Sequence, residues 1–515
     1  MSGLPTGALV VDNVPATIEP VRQSCVRQAN SGSFGFTFSG SGSGKYESKM
    51  DLHQLGGGFN SHFFFTHTRR AADVAGRLKI SGKWTLGQSL TNKWTRVFVH
   101  MPDHGAWSQQ AAYTVNMGDG TTQKRTLLQR RYENQWVSLG VFKMNGVPSV
   151  TLTNVTEDGV GIDDIAWDAV AFQPLAAKPT DFVVALGDSY TSGEGVSDTV
   201  TGSSYFRESD NNRQNQQFHN GCHRSFDAWP RQGVTPSAPT VAIGDRADSF
   251  ASNMDFHFLA CSGAETENLL PFFTAGSVKP ENGEGQVGDG QFHELPQLDQ
   301  GFLDANTTMV VFSIGGNDMK FEAVIKHCLS KAFFLPLSSC ATYPLDGDTQ
   351  PLETTSQTLM NDVLPESLET VITQIRLKAP NAKIVLAGYP KLFESGGTCF
   401  FPGIGSSGDW LNGMSDDLSA VMEGVADDMT TTAQPVLYAD PQEYFAGHNV
   451  CGSEPWIHNL VFTFTPGDRS KFGSIPWPGD DVQIPVSNQS FHPKFRGATA
   501  YAYAMSEALG IPVSE

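Results

Sequence analysis

The chain changes rhythm near residue 180. Before that point, apolar and polar residues alternate over short stretches broken by Gly, Asp and Asn. Trp94–Met101, Ala112–Met117 (ahead of the turn Gly118-Asp119-Gly120), Trp136–Phe142, Val150–Val155 and Ile165–Phe172 read as strands. A period of two sends successive side chains to opposite faces, so each segment can bury one face and wet the other. Such a series of short strands and turns predicts a β-sandwich over 61–174. Residues 1–60 are rich in Gly and Ser, notably Ser39-Gly-Ser-Gly-Ser-Gly44, and are expected to be loop with some sandwich edge. Residues 175–180, between Pro174 and the turn after Pro179, are expected to be a linker.

From 181 the apolar runs become continuous and the spacing between them lengthens. Phe182–Leu186, Thr308–Ile314 and Ala382–Ala387 read as buried strands, and Asp362–Leu377 and Asn412–Thr431 as helices between them. Strands apolar on both faces, alternating with helices, predict a parallel sheet covered on both sides. The fold class is therefore α/β over 181–515, preceded by an all-β unit.

Composition narrows the function. The 515 residues carry a formal net charge of −20, which repels nucleic-acid phosphates and suits solubility outside the cell. No apolar run reaches the roughly 18 residues that a transmembrane helix needs. The opening Met1-Ser2-Gly3-Leu4-Pro5 has neither a basic nor an apolar leader region, so no signal peptide is expected in this sequence. Six of seven cysteines lie after residue 220, which favours disulfides and a secreted protein. Six cysteines allow fifteen pairings. The pairing expected here is Cys222–Cys261, Cys328–Cys340 and Cys399–Cys451, with Cys25 left over. There is no Cys-x-x-Cys and no His-Glu-x-x-His, so no metal and no cofactor is expected.

The candidate chemistry starts at Val184-Ala-Leu-Gly-Asp-Ser-Tyr190, where an apolar strand stops at a turn bearing Ser189. The end of a parallel strand is where an open α/β sheet places its ligands. The turn is Gly-Asp-Ser-Tyr and not a Gly-x-Ser-x-Gly elbow. Three further blocks follow: Ala260-Cys-Ser-Gly-Ala264, Ile314-Gly-Gly-Asn-Asp318, and Phe491-His-Pro-Lys-Phe-Arg-Gly497. In this order they resemble the SGNH (GDSL-type) hydrolase family over about 181–510. The cysteine positions, Cys222-His-Arg-Ser225, Gly388-Tyr-Pro390 and Phe445–Cys451 resemble its actinobacterial secreted esterase and lipase branch.

The resemblance implies a flavodoxin-like, three-layer α/β/α domain that hydrolyses carboxylic esters. Ser189 would be the nucleophile and His492 the base that takes its proton. The oxyanion donors would be the amides of Ser189 and Gly263 and the side-chain amide of Asn317. The family often has Asp three residues before the histidine, but Gln489 stands there. The Gln489 main-chain carbonyl is therefore the expected orienter of His492, with Asp480 and Asp481 as rivals. The apolar runs Leu269–Phe273 and Ala332–Leu337 are candidates for an acyl-chain groove.

Residues 60–173 resemble the golvesin C-terminal-like (xanthan lyase carbohydrate-binding-like) β-sandwich. The resemblance rests on Ala111-Ala-Tyr113, Trp136–Phe142, Val150–Asn154 and Asp168–Phe172. It makes Trp84, Trp94, Trp107 and Tyr132 candidates for stacking on sugar rings. The whole chain is thus expected to be a secreted esterase or lipase acting on an acyl ester of a lipid or an acylated sugar. A carbohydrate esterase guided by the sandwich is the first alternative, and a non-catalytic sugar- or surface-binding protein the second.

Overall fold

A computed structural model describes residues 3–13, 30–39, 47–71, 78–129, 134–157, 159, 161, 163–196, 220–271, 294–334, 339–345, 347–394, 405–462, 474–476, 483–485 and 487–513. The alternating segments form antiparallel sheets. One sheet runs Leu9–Val11, Val170–Pro174, Lys93–Met101, Gln135–Met144. A second runs Gly32–Phe38, Ile80–Leu86, Ser149–Thr153, Ala111–Asn116, Thr122–Leu127. Ile80–Leu86 and Ala111–Asn116 alternate inward and outward as their sequence does. Trp84, Val115 and Leu152 of the second sheet share one core with Val97, Leu139 and Phe172 of the first.

Ile165–Phe172 is not one strand. It breaks at Asp168 into Asp164–Trp167, paired with Phe63–His67, and Val170–Pro174, in the first sheet. The break follows from chemistry at Asp168. Its buried carboxylate accepts the Phe59 amide at 2.9 Å and a His100 ring nitrogen at 2.7 Å, so the chain turns inward there and changes sheets.

The strand Lys93–Met101 is buried on both faces. Its Val97 and Val99 fill the β core, while Arg96 and Phe98 point to the second unit. The Arg96 guanidinium donates to the carbonyls of Phe250 (2.6 Å), Ala251 (3.0 Å) and Met254. Phe98 meets Phe250 edge-on at 4.9 Å. The Val141 amide donates to the Asp255 carboxylate at 2.9 Å. The two units are therefore joined by directed, desolvated contacts.

The second unit has a five-stranded parallel sheet in the order Met254–Phe258, Asp181–Ala185, Met309–Phe312, Lys383–Ala387, Val436–Ala439. The strands Asp181–Ala185 and Met309–Phe312 are buried throughout, as their unbroken apolar sequence requires. Phe495–Ala508 packs with the short helices Trp229–Gln232 and Ile243–Asp248 as one layer; Leu364–Lys378 packs with Gly405–Met429 as the other. The chain leaves Asp181–Ala185 for a neighbour on one side and returns for Met309–Phe312 on the other. Such a reversal opens a crevice at the carboxyl ends of the strands. No helix among the described residues is long and apolar enough to cross a membrane.

Two expected disulfides are present, Cys222–Cys261 and Cys328–Cys340. Cys451 is disulfide-bonded, whereas Cys399 and Cys25 lie outside the described residues.

Candidate active site

Three strand ends converge at the crevice. The turn at 187–189 follows Asp181–Ala185, the turn at 261–264 follows Met254–Phe258, and the turn at 314–318 follows Met309–Phe312. Backbone bonds lock them side by side: Cys261 donates to Gly187 at 2.9 Å and Asp188 donates to Ser313 at 3.0 Å. Gly187 has φ +118°, and a Cβ there would lie 2.3 Å from the Ser313 carbonyl oxygen. Only glycine fits such an approach.

Asp188 caps the short helix Ser189–Ser192, accepting the Tyr190 amide at 3.0 Å. Its carboxyl also accepts the hydroxyls of Ser313, at 2.8 Å, and Tyr389. Burial pushes Asp188 up to about 6, against these hydrogen bonds. Its place is beneath the turn, holding Ser189 up.

His492 arrives from the far end of the chain, 303 residues on, and its Nε2 lies 2.7 Å from the Ser189 Oγ. The loop bends at Phe491, which has φ +62°. A bulky residue in the left-handed region is held by its surroundings at a cost of roughly 1 kcal/mol or more. The surroundings here are bonds to both sides of its peptide: Phe491 donates to the His458 carbonyl at 3.1 Å and accepts the Tyr190 hydroxyl at 2.8 Å.

The orienter of His492 differs from expectation. Its Nδ1 donates to the Ser490 carbonyl at 3.1 Å, not to that of Gln489. The Gln489 carbonyl is taken by the backbone amide of His492 itself, at 3.1 Å, because the chain makes a tight turn at this point. The rivals Asp480 and Asp481 lie outside the described residues. A carbonyl only accepts, so the proton sits on Nδ1 and leaves Nε2 free to accept from Ser189. Burial lowers the His492 ring below its ordinary 6.5; the charge on Glu194 and the carbonyls of Ser490 and Asn488 work against it.

Gly263 has φ +81° and, among the described residues, no heavy atom within 4 Å of where a Cβ would be. The Asn317 side-chain amide donates one N–H to the Ala264 carbonyl at 2.8 Å, which fixes its orientation and leaves the second N–H for another acceptor. Asp318 does structural work, accepting the Thr266 hydroxyl at 2.5 Å.

Sequence reasoning missed Glu194 and the partners around it. Glu194 is fully buried five residues after Ser189, flanked by Gly193 and Gly195. It meets the His223 ring and the Ser262 hydroxyl, the latter at 2.9 Å. The only signal was an acidic residue between glycines directly after the serine turn. Its partners are 29 and 68 residues away and could not be read from spacing.

The sugar-stacking candidates fare differently. Trp84 is core, 1% exposed, and donates to the Asp168 carbonyl at 2.9 Å. Trp94 lies at the junction of the units, beside Phe182 and under the Lys178 ammonium. Trp107 is half-buried and Tyr132 is outside the described residues. In the groove candidates, Leu269 is fully buried core; Phe272 and Phe273 are outside the described residues, as are 335–337 of the second run.

The GDSL-like lipase/acylhydrolase family model matches residues 185–459. Lipase 1 of Streptomyces coelicolor is 29% identical over 296 residues, covering 57% of this chain and 81% of the relative. The lipase of Streptomyces rimosus is 26% identical over 286 residues, covering 55% and 78%. The crystal structure of an extracellular lipase from Streptomyces rimosus covers 65% of this chain and 100% of its own, with 24% identity and a TM-score of 0.40.

Proposed function

Since the chain belongs to the GDSL-like lipase/acylhydrolase family and is a carboxylic ester hydrolase, we propose that it works through an acyl-enzyme on Ser189 with His492 as general base. The observation that carries this reading is the 2.7 Å contact between Ser189 Oγ and a His492 Nε2 whose tautomer is set by the Ser490 carbonyl. In the first half-reaction the Ser189 proton passes to Nε2 as Oγ bonds to the ester carbonyl carbon. The negative charge that forms on the carbonyl oxygen is met by the amides of Ser189 and Gly263 and the second N–H of Asn317. The imidazolium then gives its proton to the leaving alcohol. In the second half-reaction a water loses a proton to Nε2, attacks the acyl carbon, and Ser189 is released with its proton restored.

The substrate class is an acyl ester of a lipid or of an acylated sugar. The disulfides favour an exported protein. The sandwich is assigned a supporting role, since Trp84 and Trp94 are spent on packing and the unit docks through Arg96 and Asp255. The test is labelling by a fluorophosphonate, mapped by mass spectrometry, with turnover of chromogenic esters from acetate to palmitate. Ser189 should carry the label, and Ser189→Ala should lose both label and turnover. Labelling at another residue would overturn the mechanism.

A further inference from the structure

The site has a buried carboxylate that the dyad does not account for. Glu194 is 0% exposed, and burying a carboxylate is costly unless other groups hold it there. Its amide donates to the Ser189 carbonyl at 3.0 Å, so it rides on the nucleophile turn itself. Its Oε2 accepts the Ser262 hydroxyl at 2.9 Å and meets the His223 ring. Ser262 immediately precedes Gly263, and its amide donates to the Cys222 carbonyl at 3.0 Å. The other oxygen, Oε1, has no hydrogen-bond partner among the described residues.

The same segment also backs the histidine loop. The Gly195 carbonyl accepts the ring Nε2–H of His458 at 2.8 Å, and the His458 amide donates to the His492 carbonyl at 2.9 Å. A Cβ on Gly195 would lie 3.1 Å from the His492 Cβ, which shows how close the two segments run.

Resting on the Ser189–His492 reading, we propose that Glu194 is the positioning carboxylate of this site. It supplies the counter-charge for the His492 imidazolium that the neutral Ser490 carbonyl at Nδ1 does not, and through Ser262 it fixes the turn carrying the Gly263 amide.

The charges around His492 single out Glu194. The Tyr190 ring lies tilted against the His492 ring at 5.0 Å but is neutral, its hydroxyl raised by burial. His458 is pushed by burial down to about 4, so it is neutral at working pH. Glu322, on the helix Phe321–Phe334, acts on His492 weakly and is an exposed partner of Lys326. Lys494, two residues along the loop, is a half-buried cation lowered by burial. Burial works to raise Glu194, but the His223 ring, the charge on His492 and the Ser262 hydroxyl reverse this and hold it below its ordinary 4.5. It is therefore ionised when His492 takes its proton.

Glu194→Gln keeps the shape and the hydrogen bonding to Ser262 and His223 while removing the charge. The readouts are the pH dependence of Ser189 labelling by a fluorophosphonate and of kcat/KM on a chromogenic ester. The acidic limb should move down by about one pH unit, because an imidazolium without its counter-charge loses its proton more readily. The plateau kcat should fall about tenfold, since a weaker base drives the proton transfer less well. Glu194→Asp, which draws the charge back by one methylene, should move the limb in the same direction by less, and serves if Glu194→Gln does not fold. Ser262→Ala should lower kcat severalfold with the limb in place, because it frees the turn and leaves the charge. A limb unmoved or raised in the Glu194 variant overturns the counter-charge role, and an unchanged kcat in Ser262→Ala overturns the turn role. In both cases Ser189 still takes the label, whereas label on another residue overturns the proposed function itself.

Discussion

The ring of His492 is held by the Ser490 carbonyl at 3.1 Å on one side and meets Ser189 at 2.7 Å on the other. The base is thus oriented by a neutral group in a half-buried place. Burial lowers its ring below 6.5, ahead of the opposing charge on Glu194. A base works when unprotonated, and a lowered value keeps it so to lower pH. The acidic limb of kcat/KM should therefore fall below pH 6.5, and the rate of fluorophosphonate labelling should follow it. A limb at or above 6.5 would contradict the burial argument.

Asn317 offers a test of the oxyanion donors. Its side chain is fixed by the Ala264 carbonyl and has one N–H without an acceptor among the described residues. Asn317→Ala should lower kcat by roughly 10²- to 10³-fold with little change in KM, the cost of one lost donor. Thermal unfolding should shift little, because the residue is only part-buried. A loss confined to KM would assign Asn317 to substrate binding.

The junction between the two units should be sensitive to acid. Burial works to raise Asp255, but the His257 ring, the Arg96 charge and the Val141 amide bring it down to about 2. A carboxyl depressed on folding stabilises the native state above its unfolded value of 3.8, and that support is lost as pH falls toward 2. The shift corresponds to about 2 kcal/mol. Asp255→Asn should lower stability by about that amount at neutral pH and flatten the acid transition between about pH 4 and 2. Denaturant titrations at several pH values read both effects, and parallel curves for variant and parent would remove Asp255 from the account.

The Cys222–Cys261 disulfide closes a 39-residue separation and ties the Ser262 amide to the Cys222 carbonyl. Replacing both cysteines by Ser should cost about 4 kcal/mol on loop-entropy grounds. It should also lower kcat at temperatures where the protein is still folded, because the turn before Gly263 loses its anchor. Retained kcat with lowered Tm would separate the stabilising role from the catalytic one.

Much of this was legible in local pattern. Ser189, Gly263 and Asn317 each follow an apolar strand, and a parallel sheet must deliver such turns to one edge. What escaped was decided by groups that carry no sequence signal. Every residue has a carbonyl, so whether Gln489 or Ser490 faces the His492 ring depends on the left-handed turn at Phe491. Glu194 has no local sequence signal for its role, because His223 and Ser262 reach it only through the fold. Ile165–Phe172 read as one strand because its apolar spacing ignores the buried partners of Asp168.

The strand Lys93–Met101, covered on both faces, has a consequence for how this architecture can be rearranged. Phe98 packs on the Phe250 ring and Arg96 donates to the carbonyls of Phe250, Ala251 and Met254, so this strand is matched to that surface of the second unit. Cutting the chain at 175–180 would leave an aromatic ring on one fragment and carbonyls without their Arg96 donor on the other. Shuffling the front unit onto another hydrolase would need a matching socket as well as a linker. The pair would have to be engineered as a single part.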